Sequence, residues 1–502
     1  MLRSTQLYRV ICLFTVLATL LVGCGDAAST ATPVAAPATQ PAPAATNTAA
    51  TGATTGATTP PATAAAVPTA ATAPTATTAA ATPTGLSGGL DFLVFGEPAE
   101  AKAFVDVAKG FEQENPAVKI NTIAVPSQPD HLMKLTTAFA AGDPPDVWVI
   151  DYRRYGLLQN AGVIEPVEPY LEQSTVIKAT DFYTKPLQPF TVNGKLQCIP
   201  MNMSSLEVYY NKDLFDRAGV PYPKAGWTWD EFLQDAIAIT KLSTPDEKIY
   251  GVGIDPQLIR LAPFVWQNGG DIVDDLVHPT RLTLDTPEAK EAFQWFVDLQ
   301  VKHHVVSSQV ENASEQDQTR FMFNTLGMWL LSRRVVPALR TSQGFTWDVA
   351  PLPQRKVAAS ILHTDAYCIA AASKNKDLAW RFVEYANGPV GQVIAAKTGR
   401  TVPSLRSVAE SPIYLEADKP PASSKVFLDA GPILRATPQI GTWPDIELRA
   451  NAAIEQAFYG LISVDDAIRE IEEGTAADFK SDHFPETIVV PTPVPGRHGE
   501  DD

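Results

Sequence analysis

The sequence lacks most of the short motifs that identify cofactor-dependent enzymes. It has no P-loop, no dinucleotide-binding glycine motif and no Cys-x-x-Cys pair, which are the usual signatures of nucleotide, redox and zinc chemistry. Only four cysteines occur in 502 residues, so a scaffold of several disulfides is excluded. The net charge of −17 argues against a basic surface for nucleic acid or for a membrane. We therefore expect no cofactor and no nucleic-acid partner.

Candidate catalytic and metal-binding groups are also scarce. The run His363-Thr364-Asp365 would present two metal ligands on a strand, but no third ligand lies nearby in the sequence, so a polar loop is favoured and no metal is expected. Acidic residues are numerous, yet nothing singles out two of them as the carboxylate pair of a glycoside hydrolase. These absences favour binding without catalysis, and a secreted carbohydrate-active enzyme remains the alternative.

The N-terminus has the features of an export signal. Arg3 and Arg9 precede an apolar run over residues 10–22, which is too short for a permanent membrane span. The run ends in Leu-Val-Gly-Cys24, which resembles the lipobox of bacterial lipoproteins. We therefore expect residues 1–24 to be a lipoprotein signal, with Cys24 lipidated and the protein held outside the cytoplasm on the cell membrane. A secretory peptide that is cut elsewhere is the alternative.

Composition divides the remainder of the chain. No charged residue occurs between Asp26 and Asp91, where Ala, Thr and Pro dominate, so residues 25–88 are expected to form a disordered tether. Residues 486–502 are expected to be a disordered tail. The body between them is longer than one core usually serves. We predict an N-terminal lobe at 89–200, a C-terminal lobe at 201–364, and a return segment at 365–485 that completes the first lobe and adds the last helices.

Strand and helix patterns alternate at the start of the body. Residues 90–95 read as a buried strand, helical spacing follows, and "GDPPDVWVID" is a turn into another strand that ends at Asp151. This order predicts parallel strands with helices covering them, an α/β fold. Ligands bind such sheets outside the carboxyl ends of the strands. That rule places Glu97, the segment around Gln128, and Asp151 with Tyr152 on one rim.

Aromatic residues beside turns point to a ligand class. Sugars present flat C–H faces and hydroxyl rims, which proteins bind with aromatic platforms and polar side chains. Each tryptophan has core packing as its alternative role. The tryptophans that flank Gly, Pro or polar turns are Trp148, Trp266, Trp329, Trp347 and Trp443.

Several longer motifs resemble one family. "LQCIPMNMSSLEVYYNKDLFDRAGV" followed by "WTWDEF" is similar to the signature of the extracellular solute-binding proteins of bacterial sugar importers, the family of maltose-binding protein. So are "GDPPDVWVID", "WQNGGDIVDD", "AAASKNKDLAWRFVEY", "TGRTVPS" and "LISVDDAI". The resemblance implies a two-lobed periplasmic-binding-protein-like fold in which two α/β domains are joined by crossing hinge strands over a ligand cleft. It also implies a monomer that captures a carbohydrate, expected to be an oligosaccharide, and delivers it to an ABC import permease. A polyamine, a phosphodiester or an iron complex remains an alternative ligand on the same fold.

The resemblance also nominates ligand-binding positions. The two hinge crossings would run through residues 198–215 and 362–372, and the first of these carries no catalytic group because its role is mechanical. The candidates that match the family's ligand-contacting positions are Glu97, Asp151, Tyr152, Asn202, Ser204, Trp266, Asn268, Asp365, Tyr367 and Trp443. For each polar candidate, a solvated or capping role is the alternative.

Two places depart from the family pattern. Ser332-Arg333-Arg334 follow the strand "LGMWLL", where the family often has Gly and an aromatic, and His363-Thr364-Asp365 replace glycines. Neighbours on a strand face opposite ways, so at most one of the two arginines should face the ligand. We expect that arginine to select an acid-bearing sugar such as a uronate, because guanidinium pairs well with carboxylate. Surface salt bridges are the alternative.

Cys198 and Cys368 lie on the two presumed crossing strands, which should be neighbours. The expected compartment is oxidising. A disulfide between them would fasten the hinge and could restrict closure. Two separate buried thiols are the favoured interpretation, because free cysteine is among the most buried residue types.

Overall fold

A computed structural model of the protein describes residues 85–96 and 98–481. The predicted signal, Cys24, most of the tether, Glu97 and the C-terminal tail lie outside the described residues. Across those described ranges, no helix combines the length and apolar character needed to cross a membrane.

The described chain alternates between strands and helices. The strands are β1 (Gly88–Phe95), β2 (Val118–Val125), β3 (Val147–Asp151), β4 (Ile164–Glu165), β5 (Thr191–Val192), β6 (Lys195–Leu196), β7 (Ile199–Pro200), β8 (Glu207–Asn211), β9 (Tyr250–Gly253), β10 (Leu326–Leu331), β11 (Trp347–Ala350), β12 (Ser360–Ile361), β13 (Asp365–Ala370) and β14 (Leu434–Arg435). The helices are α1 (Pro98–Glu114), α2 (Gln128–Ala141), α3 (Tyr152–Asn160), α4 (Glu168–Gln173), α5 (Thr184–Leu187), α6 (Lys212–Ala218), α7 (Trp229–Thr240), α8 (Leu258–Gln267), α9 (Pro287–Val301), α10 (Gln309–Ser314), α11 (Asp317–Met322), α12 (Val336–Leu339), α13 (Lys376–Asn387), α14 (Pro389–Ala396), α15 (Arg406–Ala409), α16 (Pro412–Leu415), α17 (Val426–Asp429), α18 (Trp443–Phe458) and α19 (Val464–Thr475). Single 3-10 turns occupy Ala179–Asp181, Gln188–Phe190, Arg333–Val335 and Gly431–Ile433.

The first lobe is built on a sheet with strand order β2-β1-β3-β13-β4, and β7 also pairs with β13. β1 is parallel to β2 and β3, whereas β13 returns antiparallel to β3. Every residue of β3 is buried, as expected of a strand that is covered on both faces. The core of this lobe combines residues from the first 200 positions with β13 and α13.

The second lobe has its own sheet, with strand order β11-β8-β10-β9. Local chemistry sets its helix starts. Asn211 accepts from the backbone N–H of Leu214 at the start of α6, and Thr228 with Glu231 forms a capping box at the start of α7. The motif "WQNGGDIVDD" forms no strand but makes one isolated bridge, between Val273 and Leu282. The Asp274 carboxylate accepts backbone N–H groups from the turn that follows.

Three segments, which we call the crossing segments, connect the lobes side by side. The first contains Ser204, the second contains His363, and the third leads from Val402 to β14. The backbones of Ser204 and His363 exchange hydrogen bonds of 2.8 and 2.9 Å, and Met203 donates to the carbonyl of Val402. β12 and β14 pair in parallel beside them. After this third segment, α18 and α19 pack into the core of the second lobe.

The structure contains a disulfide between Cys198 and Cys368, so the favoured interpretation of two separate thiols was wrong. Their Cα atoms are 4.6 Å apart, because β7, which begins at the next residue, pairs with β13. Both sulfurs lie in the core of the first lobe. The crosslink therefore sits before the crossing segments and holds their first-lobe ends together. It does not bridge the two lobes, so it does not impose the restriction on closure that a link between them would.

Candidate solute-binding site

A cavity of about 370 Å³ lies between the two lobes. Its first-lobe side is formed by the end of β1, the start of α2 and Asp151 at the end of β3. Ile259 and Arg260 of α8, with Ser332 and Arg334 after β10, form the second-lobe side. The cavity thus lies at the carboxyl ends of the first-lobe parallel strands, as ligand sites do in open α/β sheets.

The crossing segments place Asp365 at the cavity in a fixed orientation. Asn202 donates from its side-chain amide to the Asp365 carboxylate at 2.8 Å and accepts from the Asp365 backbone N–H at 2.7 Å. Asp365 pairs in register with Asp151 across β13 and β3. Burial raises the pKa of Asp365 to about 7, and the nearby Asp151 carboxylate adds to this shift against the Asn202 hydrogen bond.

Asp151 is held by an arginine that also reaches the second lobe. Its carboxylate caps α3 by accepting from the backbone N–H of Arg153 at 3.0 Å, and it accepts from Nε of the same arginine at 3.0 Å. The other end of the Arg153 guanidinium donates to both oxygens of Glu447 at 3.1 and 3.2 Å. Glu447 lies on α18, which belongs to the core of the second lobe. The chain Asp151–Arg153–Glu447 therefore ties the two lobes together beside the cavity.

Of the remaining polar lining groups, some are paired and some are not. Glu100 forms an ion pair with Arg400. Ser204 is 8% exposed, and its hydroxyl has no hydrogen-bond partner among the described residues. His363 approaches Nη1 of Arg260 through its Nε2 at 3.5 Å. Burial lowers the pKa of His363 well below its ordinary value, and Arg260, Arg153 and Arg334 reinforce the shift, so the imidazole is neutral.

Seven of the candidates chosen from the sequence lie at the cavity. They are Gln128, Asp151, Asn202, Ser204, Arg334, Asp365 and Tyr367. Glu97 is outside the described residues. Tyr152 lies behind the cavity wall, where its hydroxyl accepts from the backbone N–H of Thr437 at 3.2 Å.

The two tryptophan candidates do not reach the cavity. Trp266 and Trp443 are both fully buried in the core of the second lobe. The indole N–H of Trp266 donates to Asp271 at 2.9 Å, and that of Trp443 donates to Glu447 at 3.0 Å. Both were predicted as ligand contacts, and the structure instead gives them packing roles, because each indole finds apolar neighbours and one internal acceptor.

Asn268 and Arg333 are likewise used inside the protein. The Asn268 amide donates to the carbonyl of Glu288 and to the carboxylate of Glu291, both at 2.8 Å. Arg333 is buried in the 3-10 turn Arg333–Val335, with its guanidinium 4.4 Å from the Tyr414 ring centroid and its Nε 3.0 Å from the carbonyl of Gly399. Arg333 therefore attaches the segment after residue 399 to the second lobe. Arg334 is the arginine that faces the cavity.

Sequence reasoning missed Arg260. The helix that carries it, α8, is buried at every position, and a charged residue within such an apolar run is the signal that would have found it.

The described lining of the cavity does not contain the aromatic platform that was predicted from the tryptophans. The aromatic residues of the described lining are Phe95, Phe104 and Tyr367. The Tyr367 ring stacks on Phe92 in the first-lobe core, with 5.5 Å between the ring centroids. Within the described ranges, no group of three or more His, Cys, Asp or Glu side chains is placed to hold a metal.

Comparison with known proteins agrees with this architecture. The chain is 26% identical over 364 residues to a putative binding protein of Brucella abortus, covering 71% of this chain and 85% of the relative. It is 24% identical to the maltotriose-binding protein of Pyrococcus abyssi, over 63% of this chain and 66% of that one. An ABC substrate-binding protein of Listeria monocytogenes, solved in complex with cycloalternan, superposes with a TM-score of 0.71 at 22% identity, covering 77% and 97% of the two chains. The fold is therefore that of two-domain periplasmic binding proteins. The family model of the bacterial extracellular solute-binding proteins matches residues 96–393, and the chain belongs to that family.

Proposed function

We propose that this protein captures a carbohydrate in the cavity between its lobes and delivers it to an ABC import permease without altering it. The observation that carries the proposal is a cavity lined by carboxylate, amide, hydroxyl and guanidinium groups of both lobes and of the crossing segments. Such a mixture of donors and acceptors suits a rim of sugar hydroxyls. The maltotriose-binding relative and the cycloalternan complex support the same ligand class.

The crossing segments supply the mechanism. They run side by side next to the cavity, so a small change in their backbone angles would swing one lobe against the other. A solute that contacts both lobes binds the closed form more tightly and shifts the population toward it. The permease would then distinguish loaded from empty protein by its closed shape.

The predicted export signal completes the proposal. Lipidation at Cys24 would anchor the protein outside the cytoplasm, and the uncharged tether would let the body, as a monomer, reach a permease in the same membrane.

One observation favours a second function, glycoside hydrolysis. Asp365 and Asp151 lie side by side at the cavity, and the raised pKa of Asp365 is a property of a general acid. Against this, both carboxyls belong to the same sheet and both are engaged, by Asn202 and Arg153. Attack from two sides of a glycosidic bond needs carboxyl groups that flank the substrate, so binding is the better supported function.

A ligand screen with product analysis tests the proposal. We expect at least one mono- or oligosaccharide to raise the melting temperature of the purified mature protein. At a ligand concentration one hundred times the dissociation constant, the free energy of unfolding should rise by about 2.7 kcal/mol. The sugar should be recovered unchanged after prolonged incubation. Release of shortened sugars would favour the hydrolase, and stabilisation by polyamines or iron complexes alone would point to another solute.

A further inference from the structure

Two arginines on the second-lobe side of the cavity, Arg260 and Arg334, form no ion pair with any acid among the described residues. The other two lining arginines do, since Arg153 pairs with Asp151 and Glu447, and Arg400 pairs with Glu100. For Arg260 and Arg334, none of the carboxylates that the structure describes comes within salt-bridge distance, 4.0 Å. The second-lobe side of the cavity therefore carries two positive charges that are not paired with any carboxylate the structure describes.

Arg260 is the more informative of the two because it is buried. It is 5% exposed, and its Nε has no hydrogen-bond partner among the described residues. Within the same ranges, the one polar contact of its guanidinium is the neutral His363 at 3.5 Å. Burial lowers the pKa of Arg260 to about 10, with Asp255 opposing the shift and Arg334 and Arg153 reinforcing it. Burying a charged group without a counter-charge destabilises a fold. A buried guanidinium that lines a cavity and lacks an ion pair can be explained if a bound ligand supplies the negative charge.

The acids on the opposite side do not supply that partner. Asp151 is bound by Arg153, Glu100 by Arg400, and Asp365 by the Asn202 amide. Ser204 adds an unsatisfied hydroxyl next to His363, since the backbones of these two residues pair. The unsatisfied donors thus lie on one side of the cavity, around His363.

We propose that the captured carbohydrate carries an anionic group, and that Arg260, with Arg334 at the cavity's edge, binds it. This inference rests on the proposed function. Guanidinium donates in a planar fork that matches two oxygens of a carboxylate or of a phosphate. A uronate and a sugar phosphate offer this same chemistry, and the Ser204 hydroxyl adds a donor for an adjacent oxygen. The ligand's neutral hydroxyls then face the carboxylates of the first lobe.

Calorimetry on the mature protein tests the proposal with four sets of probes. They are glucuronate and galacturonate mono- and oligosaccharides, the methyl esters of the same uronates, the matching neutral glucose and galactose sugars, and the hexose phosphates. Each is titrated into wild type, Arg260→Gln, Arg334→Gln and Arg469→Gln. Arg469 is an exposed residue of α19 that pairs with Asp466, so its variant controls for the loss of one positive charge.

We expect an acidic probe to bind wild type at least tenfold more tightly than its ester or neutral counterpart. Arg260→Gln should weaken that probe roughly 10- to 100-fold, the range of a charged hydrogen bond, and should weaken neutral sugars much less. Arg334→Gln should have a smaller effect, and Arg469→Gln none. The uronate and phosphate arms decide which anion is bound.

The melting temperature of ligand-free Arg260→Gln provides an independent readout. It should equal or exceed that of wild type, because an unpaired buried charge has been removed. If neutral sugars bind wild type best and Arg260→Gln binds them equally well, the anionic ligand is ruled out while carbohydrate capture stands. If no carbohydrate of either kind binds, the proposed function fails and this inference with it. A lowered melting temperature would show that Arg260 is a structural group.

Discussion

Replacing Arg153 by methionine is expected to lower the free energy of unfolding by about 3–5 kcal/mol, the usual cost of removing one partner from a buried ion pair. The substitution leaves two buried carboxylates, Asp151 and Glu447, without the guanidinium that both accept from. Arg154 lies 3.8 Å from Asp151, and the Trp443 indole still donates to Glu447, so the loss should fall near the lower end. Urea unfolding followed by circular dichroism measures it.

Two further variants isolate the cause. Arg449→Met removes an exposed arginine from α18, the helix that carries Glu447, where it pairs with Asp478, and it should change stability by less than about 1 kcal/mol. Adding Glu447→Gln to Arg153→Met should recover part of the loss, because the unpaired carboxylate is then neutral. With Glu447→Gln measured alone as well, strict additivity of the two single substitutions would contradict a direct interaction.

Replacing both Cys198 and Cys368 by alanine is expected to cost about 2–4 kcal/mol of stability, the typical contribution of a disulfide. The two cysteines are separated by 170 residues in sequence, so the crosslink restricts the unfolded chain over a long loop. Thermal melting of wild type with and without reductant, beside the double variant, measures the effect. Reduced wild type should melt close to the double variant.

The location of the disulfide also predicts how the double variant binds solute. Because the crosslink lies inside the first lobe, solute affinity should be preserved in the double variant as long as the protein is folded. Two free thiols at these positions in denatured, unreduced protein would contradict the disulfide. A large change in affinity without a change in fold would show that the crosslink acts on the hinge.

Much of the fold could be predicted because its signals are local. The apolar run "LGMWLL" forms β10 at its predicted bounds, and the capping box of Thr228 and Glu231, which is a signal of four consecutive residues, starts α7. The two-lobed architecture followed from motifs distributed in order along the chain. The motif "WQNGGDIVDD" is less regular, because the carboxylate of Asp274 accepts backbone N–H groups of the turn that follows it.

The site was harder to predict because it depends on pairing between distant residues. In the sequence, a tryptophan that packs in the core cannot be distinguished from one that stacks on a ligand. Only the position of α18 in the second-lobe core shows that Trp443 packs in the core. Arg333 and Arg334 are adjacent, yet a 3-10 turn directs one into the protein and the other to the cavity. Arg260 was missed although a charged residue within an apolar run marks it in the sequence, and only the structure shows that it has no acidic partner among the described residues.

The central claim is that the cavity between the lobes holds the solute, and one calorimetric comparison tests it most directly. Ser332 lines the cavity on the second-lobe side, whereas Ser314 is exposed at the end of α10 and is not part of the cavity lining. The best-binding carbohydrate is titrated into wild type, Ser332→Trp and Ser314→Trp. An indole in the cavity should occupy the solute's space, so we expect Ser332→Trp to weaken binding at least tenfold and Ser314→Trp to leave it unchanged. Equal affinity in all three proteins would contradict the account.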